Sequence, residues 1–331
     1  MRRHQGGGGQ FGNKAPLAVA APLVSRKTRS SYRGSKPKAA ASLLPTVNAL
    51  KFVSPVLIFI SFLILLPILF VIYLSLRDFN LMSFTDDYVG LGNFIIAFRD
   101  PEIGHVITNT VTYVGLSLVL ETVLGFSFAL LCFVLSPPWS VIMRGIILLP
   151  LLLMPVSVGI LWKNVLLNPP YEMLNRLLRI PEDILANPRT ALLGIILATV
   201  WAYTPVVFIM ISAALSGIGA ELIEAANIDG ASFPQVVFRI LLPILQPLLV
   251  LVLNFAGVEL FIEFAIPWIM TAGGPGGASY VLTTFIYSRA FAQQDYGYGA
   301  CLALVMLMLA LLLSGWLIYH VWSGKHEESF S

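Results

Sequence analysis

Residues 57–76 read LIFISFLILLPILFVIYLSL, and no charge interrupts residues 52–76, which lie between Lys51 and Arg77. Twenty such residues wound as a helix are about 30 Å long, which matches the hydrocarbon core of a bilayer. Outward from this stretch, the same test finds five more apolar windows. They fall at about 106–135, about 140–162 behind the Pro137-Pro138 break, about 190–216, about 239–267 and about 298–322. Six helices of this length predict an all-α polytopic membrane protein, because lipid leaves backbone polar groups no partner outside a helix or a closed barrel. Barrel strands alternate and are only about ten residues long, and these windows do neither.

Composition agrees. Of 331 residues, 57% are hydrophobic and 11% charged, against about 25% charged in a soluble domain. That excludes an ordinary soluble enzyme, and the hydrophobicity excludes a disordered chain. Two cysteines cannot build a disulfide framework, and His4, His105, His320 and His326 are too scattered for a metal site. No metal or other cofactor is expected. No nucleophile–base pair is legible, and no G-x-x-x-x-G-K-[ST] phosphate loop occurs. Gly273-Gly274-Pro275-Gly276-Gly277 lacks the lysine and reads as a turn, or as a loop that receives a docked protein. The chain is therefore expected to be non-catalytic.

The net charge of +3 hides an asymmetry. Residues 1–51 carry ten Lys/Arg and no acid; residues 52–331 carry the other ten with all seventeen acids, the first being Asp78. The expected organisation is a disordered basic tail over 1–51, a six-helix membrane domain over 52–322 and a short C-terminal tail over 323–331. Basic residues before the first span hold that side in the cytoplasm, and six crossings return the C-terminus there. Segments 77–105, 163–189 and 268–297 would then lie outside, and 136–139 and 217–238 inside. The tail's expected anionic partner is membrane lipid, not nucleic acid.

Residues 217–243, GIGAELIEAANIDGASFPQVVFRILLP, are too polar to span yet not loop-like. Glu221 to Ala226 favour a helix beginning at Gly219, and Leu222, Ala225 and Ala226 are spaced to share a face. Asp229-Gly230 is a turn signal. A second helix can start near Ser232 with Pro234 in its first turn. The expectation is a short surface helix bent at a glycine, either an ordinary connector or a docking element whose alanines let another protein approach closely.

Here the sequence resembles a known family. Glu224-Ala225-Ala226, Asp229-Gly230-Ala231, then Phe238, Ile240, Leu242 and Pro243 match the EAA motif of the membrane subunits of binding-protein-dependent ABC importers. Gly90-Leu91-Gly92-Asn93-Phe94, Asn109-Thr110, Trp201 with Pro205, Thr271 with Gly273-Gly274-Pro275, and Gly297-Tyr298-Gly299-Ala300 agree with it. The resemblance covers 52–322 and lies nearest the carbohydrate-uptake branch, on the side of the larger membrane subunit of maltose permeases. It implies a bacterial or archaeal cytoplasmic membrane, and a partnership with a second permease, a cytoplasmic ATPase dimer and an extracytoplasmic solute-binding protein. It further implies that Glu224, Ala225, Ala226, Asp229 and Gly230 form the contact through which the ATPases act.

Three acids fall inside expected spans, where a charge costs roughly 2.5–3.5 kcal/mol and must face a partner or a cavity. They are Glu121 in span two and Glu259 and Glu263, four residues apart in span five. Either they hydrogen-bond neighbouring helices, or they line a path for a hydroxyl-rich solute. The resemblance implies the path, with Thr199, Tyr203 and Val206 beside them, for a sugar or polyol. The match is imperfect: Glu259 and Glu263 stand where maltose permeases have Phe and Asn, Leu260 stands for Asn, and Ala256 for Ser. An ion-coupled secondary transporter using Glu259 and Glu263 is the alternative, although the internal repeats that such transporters carry are not visible.

Overall fold

The computed structural model describes residues 46–167, Met173, Leu177 and 183–327. The chain divides into two compact units, 1–59 and 60–331. The basic tail expected up to residue 51 lies outside the described residues as far as 45, as does the expected C-terminal tail from 328 on. Helix α1 (Thr46–Ser75) carries an outward apolar surface from Ile60 on: Phe62, Leu63, Leu69 and Phe70 are each 58–62% exposed. Such a surface suits lipid or another apolar helix.

The chain then turns through a feature the sequence did not announce. Strand β1 (Arg77–Asn80) pairs antiparallel with β2 (Thr85–Tyr88), with Arg77 opposite Tyr88 and Asn80 opposite Thr85. The Asn80 side chain accepts from the Met82 and Ser83 amides at 2.8 and 3.1 Å and closes the turn. Helix α2 (Gly92–Arg99) follows. Its buried Asn93 donates to the carbonyls of Ser75 and Arg77 at 2.9 and 2.8 Å, tying α2 to the end of α1.

Helix α3 (Pro101–Val134) starts five residues earlier than the apolar window, because Asp100 caps it by accepting from the Glu102 amide at 2.9 Å. Its buried residues Thr110, Tyr113, Val114, Ser117, Glu121, Gly125, Ala129 and Cys132 recur at steps of three or four, one stripe of the helix.

The expected third span is a bent pair of helices and not a single continuous one. Helix α4 (Pro137–Leu148) runs into a 3-10 turn, Leu149–Leu152, and then α5 (Pro155–Leu161) leaves at 97° to it. Pro150 lacks an N–H, and Pro155 forces the residue before it out of helical geometry. Leu153 (φ −95°, ψ 135°) and Met154 (φ −67°, ψ 148°) are extended accordingly. This bent pair is one broken span or a re-entrant segment, beside five other helices of membrane length among the described residues.

Helix α6 (Ala191–Ser216) packs along α3. The close approach needs Gly125, where a Cβ would lie 2.7 Å from Val207 Cγ1 and 3.1 Å from the Phe208 nitrogen. The EAA segment forms α7 (Ala220–Ile228) and α8 (Phe233–Val236). A π turn, Val237–Leu241, leads into α9 (Leu242–Ile262). Asn254 of α9 donates to Ser314 Oγ at 2.9 Å, on the last helix introduced below.

Span five was expected to continue to 267. It stops at Glu263 (φ −63°, ψ 121°), and α10 (Ala265–Thr271) restarts in a new direction. Loop 272–281 and α11 (Leu282–Tyr287) lead through a π turn, Ser288–Ala292, to α12 (Tyr296–Glu327). The loop is gripped from α3: Asn109 Nδ2 donates to the Ala278 and Tyr280 carbonyls at 2.9 and 3.1 Å, and Thr110 Oγ1 accepts from the Leu282 amide at 2.9 Å. The Gly297 backbone abuts the Arg77 carbonyl so closely that no Cβ fits. Tyr298 Oη donates to Asp100 at 2.8 Å. The hairpin, the start of α3, loop 272–281 and the start of α12 thus form one stitched end of the bundle. Helix α7 lies at the other.

Candidate functional site

The α7 end is built from local devices. Gly219, extended at φ −61°, opens the helix. Its far end is a Schellman motif: Ala231 N donates to Ala226 O at 3.0 Å and Gly230 N to Asn227 O at 3.1 Å, with Gly230 at φ +79°. Ser232 and Gln235 then form a capping box for α8, with Pro234 in the first turn.

The five EAA residues do not share one face. Glu224, Ala225, Asp229 and Gly230 are exposed, whereas Ala226 turns inward among Leu215, Val236 and Val237. The expectation that Leu222, Ala225 and Ala226 lie together is corrected in the same way: Ala226 anchors α7 and the other two face out. Among the described residues Glu221, Glu224 and Asp229 form no ion pair. Beside them Leu222, Ile228, Phe233 and Phe238 are exposed. An acidic rim around apolar side chains is a surface with a protein partner's chemistry.

The second candidate lies where α3, α6 and α9 meet, and five of its six expected residues converge. Thr199, fully buried, meets Tyr113 Oη at 3.2 Å. Tyr203 Oη donates to Glu263 Oε2. Glu263 Oε1 accepts from the Ile266 amide at 2.8 Å, and its carbonyl accepts from Thr283 at 2.9 Å. Glu263 is therefore the post on which α9 ends and α10 begins. The hydrogen-bonded alternative describes this residue, and its cap explains why the helix breaks there.

Glu121 and Glu259 differ. Glu121 is 1% exposed and its Oε1 has no hydrogen-bond partner among the described residues. It lies within Coulombic reach of Glu259, which is half-buried and itself within reach of Glu263. Val206 is half-buried on α6 and contributes only apolar surface. Tyr113 and Ser117, not singled out from the sequence, belong here. They sit eight and four residues before Glu121 on the buried stripe, and Ser117 Oγ likewise lacks a partner. That spacing was the available signal. The cluster offers carboxylate and hydroxyl acceptors with no basic side chain among its members. Among the described residues no group of three or more His, Cys, Asp or Glu has metal-holding geometry.

Comparisons with known proteins agree with this architecture. A family model described as binding-protein-dependent transport system inner membrane component matches residues 40–321. The chain is 31% identical over 283 residues to the probable ABC transporter permease protein YurN of Bacillus subtilis, covering 83% of this chain and 96% of that one. It is 33% identical over 262 residues to the trehalose/maltose transport system permease protein MalF of Thermococcus litoralis, covering 78% and 88%. A crystal structure of a bacterial ABC transporter that imports the acidic polysaccharide alginate shares the fold, with a TM-score of 0.71 at 22% identity over 83% of this chain and 98% of that one. With the family model spanning nearly all the described helices, this chain belongs to the binding-protein-dependent transport system inner membrane components, the integral permease subunits of ABC transporters.

Proposed function

We propose that this chain is one of two membrane subunits of an importer for a sugar or related polyol, moved by separate ATPases that dock on α7. One observation carries the reading. The segment matching the EAA motif closes its far end with a Schellman motif, roots itself through Ala226, and presents acids that form no ion pair among the described residues beside exposed apolar side chains. The chain carries no phosphate loop, so the energy source is another subunit and this one is not an enzyme. An extracytoplasmic binding protein delivers the solute to the hairpin end, and the second permease completes the path past Glu121, Glu259, Thr199, Tyr203 and Val206. Glu263 sets the shape of that path.

The name of the Thermococcus relative supports a carbohydrate. The acid-rich centre disfavours an anionic one. The tail's ten basic residues support cytoplasmic termini in a bacterial or archaeal cytoplasmic membrane, and 1–51, 52–322 and 323–331 remain the working division into tail, permease domain and tail.

The test is a cysteine at Ala225 in the assembled transporter. Cross-linking to the ATPase subunit is expected, with a yield that changes when ATP is added. A cysteine there that reaches only solvent or lipid reagents would remove α7 as the coupling element.

A further inference from the structure

Helix α2 folds back onto the end of the first span with an apolar side turned outward. Its Asn93 and Ala97 are buried. Leu91, just before the helix, is 64% exposed, Ile95 52% and Phe98 88%. These three are spaced four and three residues apart, so they share one face. Arg99, in the last turn, is exposed and forms no ion pair among the described residues. Large apolar side chains grouped on one outward face mark a surface that something covers.

Three observations set the depth of this face. The Asn93 bonds hold α2 to the carbonyls of Ser75, the last residue of α1, and Arg77, the first charge after the apolar run. At that level the Arg77 guanidinium lies 5.3 Å from the centre of the Tyr73 ring, and a tyrosine with a basic residue is what a span places at the lipid–water boundary. Finally, Phe94 and Phe98 line an apolar groove with Ile107 of α3 and Leu302 and Val305 of α12, residues inside two helices of membrane length. The outward side continues down α3 through the exposed Val111. A helix apolar on its outer side, basic at its end and level with the ends of three spans has the chemistry of an interfacial helix. A soluble protein would meet this face only by entering the headgroup layer, so the depth favours lipid as its cover.

We propose that α2 is an interfacial anchor: Leu91, Ile95 and Phe98 lie in the leaflet at the hairpin end with Arg99 among its phosphates, and they hold the stitched end of the bundle at one depth. The inference needs only that α1, α3 and α12 cross a bilayer. Neither the imported solute nor the coupling role of α7 enters it.

The experiment uses the assembled transporter in nanodiscs of phosphatidylcholine and phosphatidylglycerol, with a nitroxide on single cysteines replacing Leu91, Ile95 or Phe98, and on one replacing the exposed Asp87 of β2 as reference. Cys132 and Cys301 are buried, so the label goes to the introduced thiol. Relaxation by oxygen, which concentrates in the bilayer, is compared with relaxation by a nickel chelate, which stays in water. The oxygen-to-nickel ratio is expected to be at least fivefold higher at the three α2 positions than at 87, and to stay there when the solute-binding protein is added. Arg99→Glu, which sets the wrong charge against the phosphates, should lower the ratio at 95 about twofold. If Phe98→Cys does not assemble, Ile96→Cys, at a neighbouring exposed position, takes its place. Water-like ratios at all three positions would overturn the proposal. So would positions that are water-like in the transporter alone and lose nickel contact only when the binding protein is added, which would make the face a docking surface for that protein. An unchanged ratio in Arg99→Glu would remove the guanidinium from the anchor.

Discussion

The two ends of this permease are held by different kinds of bond. At the hairpin end, side chains reach across large sequence distances: Asn109 holds Ala278 and Tyr280, Asn93 holds Ser75, Tyr298 holds Asp100 and Arg289 holds Glu102. At the α7 end, nearly every polar bond is between residues no more than five apart: the Schellman pair, the Ser232–Gln235 box and the Asp229 to Ala225 turn. A region stitched to four elements resists deformation. A short helix closed at its far end by local bonds and packed through Ile223 and Ala226 holds its shape with few ties to distant segments. The difference separates a frame from the lever proposed above, and it predicts stability losses at one end and coupling losses at the other.

The largest effect is expected at the frame. Asn109→Leu leaves the Ala278 and Tyr280 carbonyls without their donor, at roughly 1–3 kcal/mol for each unsatisfied group. The variant should melt well below the parent in detergent, with faster proteolysis in loop 272–281. An unchanged melting curve would show that the loop holds itself. Next comes Glu263→Gln, which keeps an acceptor for the Ile266 amide but loses the one for Tyr203, a charged hydrogen bond worth about 1.5–3 kcal/mol. Glu259→Gln is its control. The Glu259 side chain makes no hydrogen bond among the described residues, so this change should leave the melting curve alone and alter solute selectivity in uptake assays. Equal melting shifts for the two would erase the distinction between post and path.

At the lever, Gly230→Val forces a β-branched residue into φ +79°, at roughly 1–2 kcal/mol. Nothing lies within 4 Å of a Cβ placed there, so the strain is local. Melting should change little. ATPase activity should lose its dependence on solute and binding protein, and uptake should fall about tenfold, a drop of the size that strain implies. A variant that unfolds instead would move α7 from lever to frame.

This contrast also separates what the sequence reveals from what it hides. The spans were legible because charge-free length is a one-dimensional property, and α7 was legible because Gly230, Ser232 and Pro234 act on their immediate neighbours. The hairpin was not: RDFN and TDDY are too short and polar to alternate, and they pair beside Asn93, outside both strands, and Gly297, far along the chain. The α4–α5 bend had its prolines in view, but an apolar run says nothing about direction. At the centre, the intramembrane carboxylates identified themselves by cost. Tyr113 and Ser117 cost far less than a charge there and showed only as members of Glu121's stripe. Glu263's ties to its neighbours could not be read, because Tyr203 and Thr283 lie 60 residues before it and 20 after.

The smallest effect tests whether the frame is held at any cost. Asp295, just before α12, is half-buried and bridges to Asn80 of the hairpin. Burial holds its carboxyl above the usual range, and the nearby Asp78 charge adds to this, against the opposing pull of the Tyr298 amide, Arg289 and Asn80. The folded state therefore binds this proton more tightly than the unfolded one. The resulting stabilisation is complete below the ordinary aspartate pKa of about 3.9 and is lost as pH rises through the higher folded value, so at pH 7 the carboxylate is a net burden. Asp295→Asn keeps an oxygen for the Tyr298 amide, now 3.1 Å away, and removes the charge. Hydrogen exchange in β1 and β2 should then be slightly slower than in the parent at pH 7 and should lose part of its pH dependence above pH 4 after correction for intrinsic exchange. Faster exchange in the variant at pH 7 would mean that the charge itself holds the hairpin to α12.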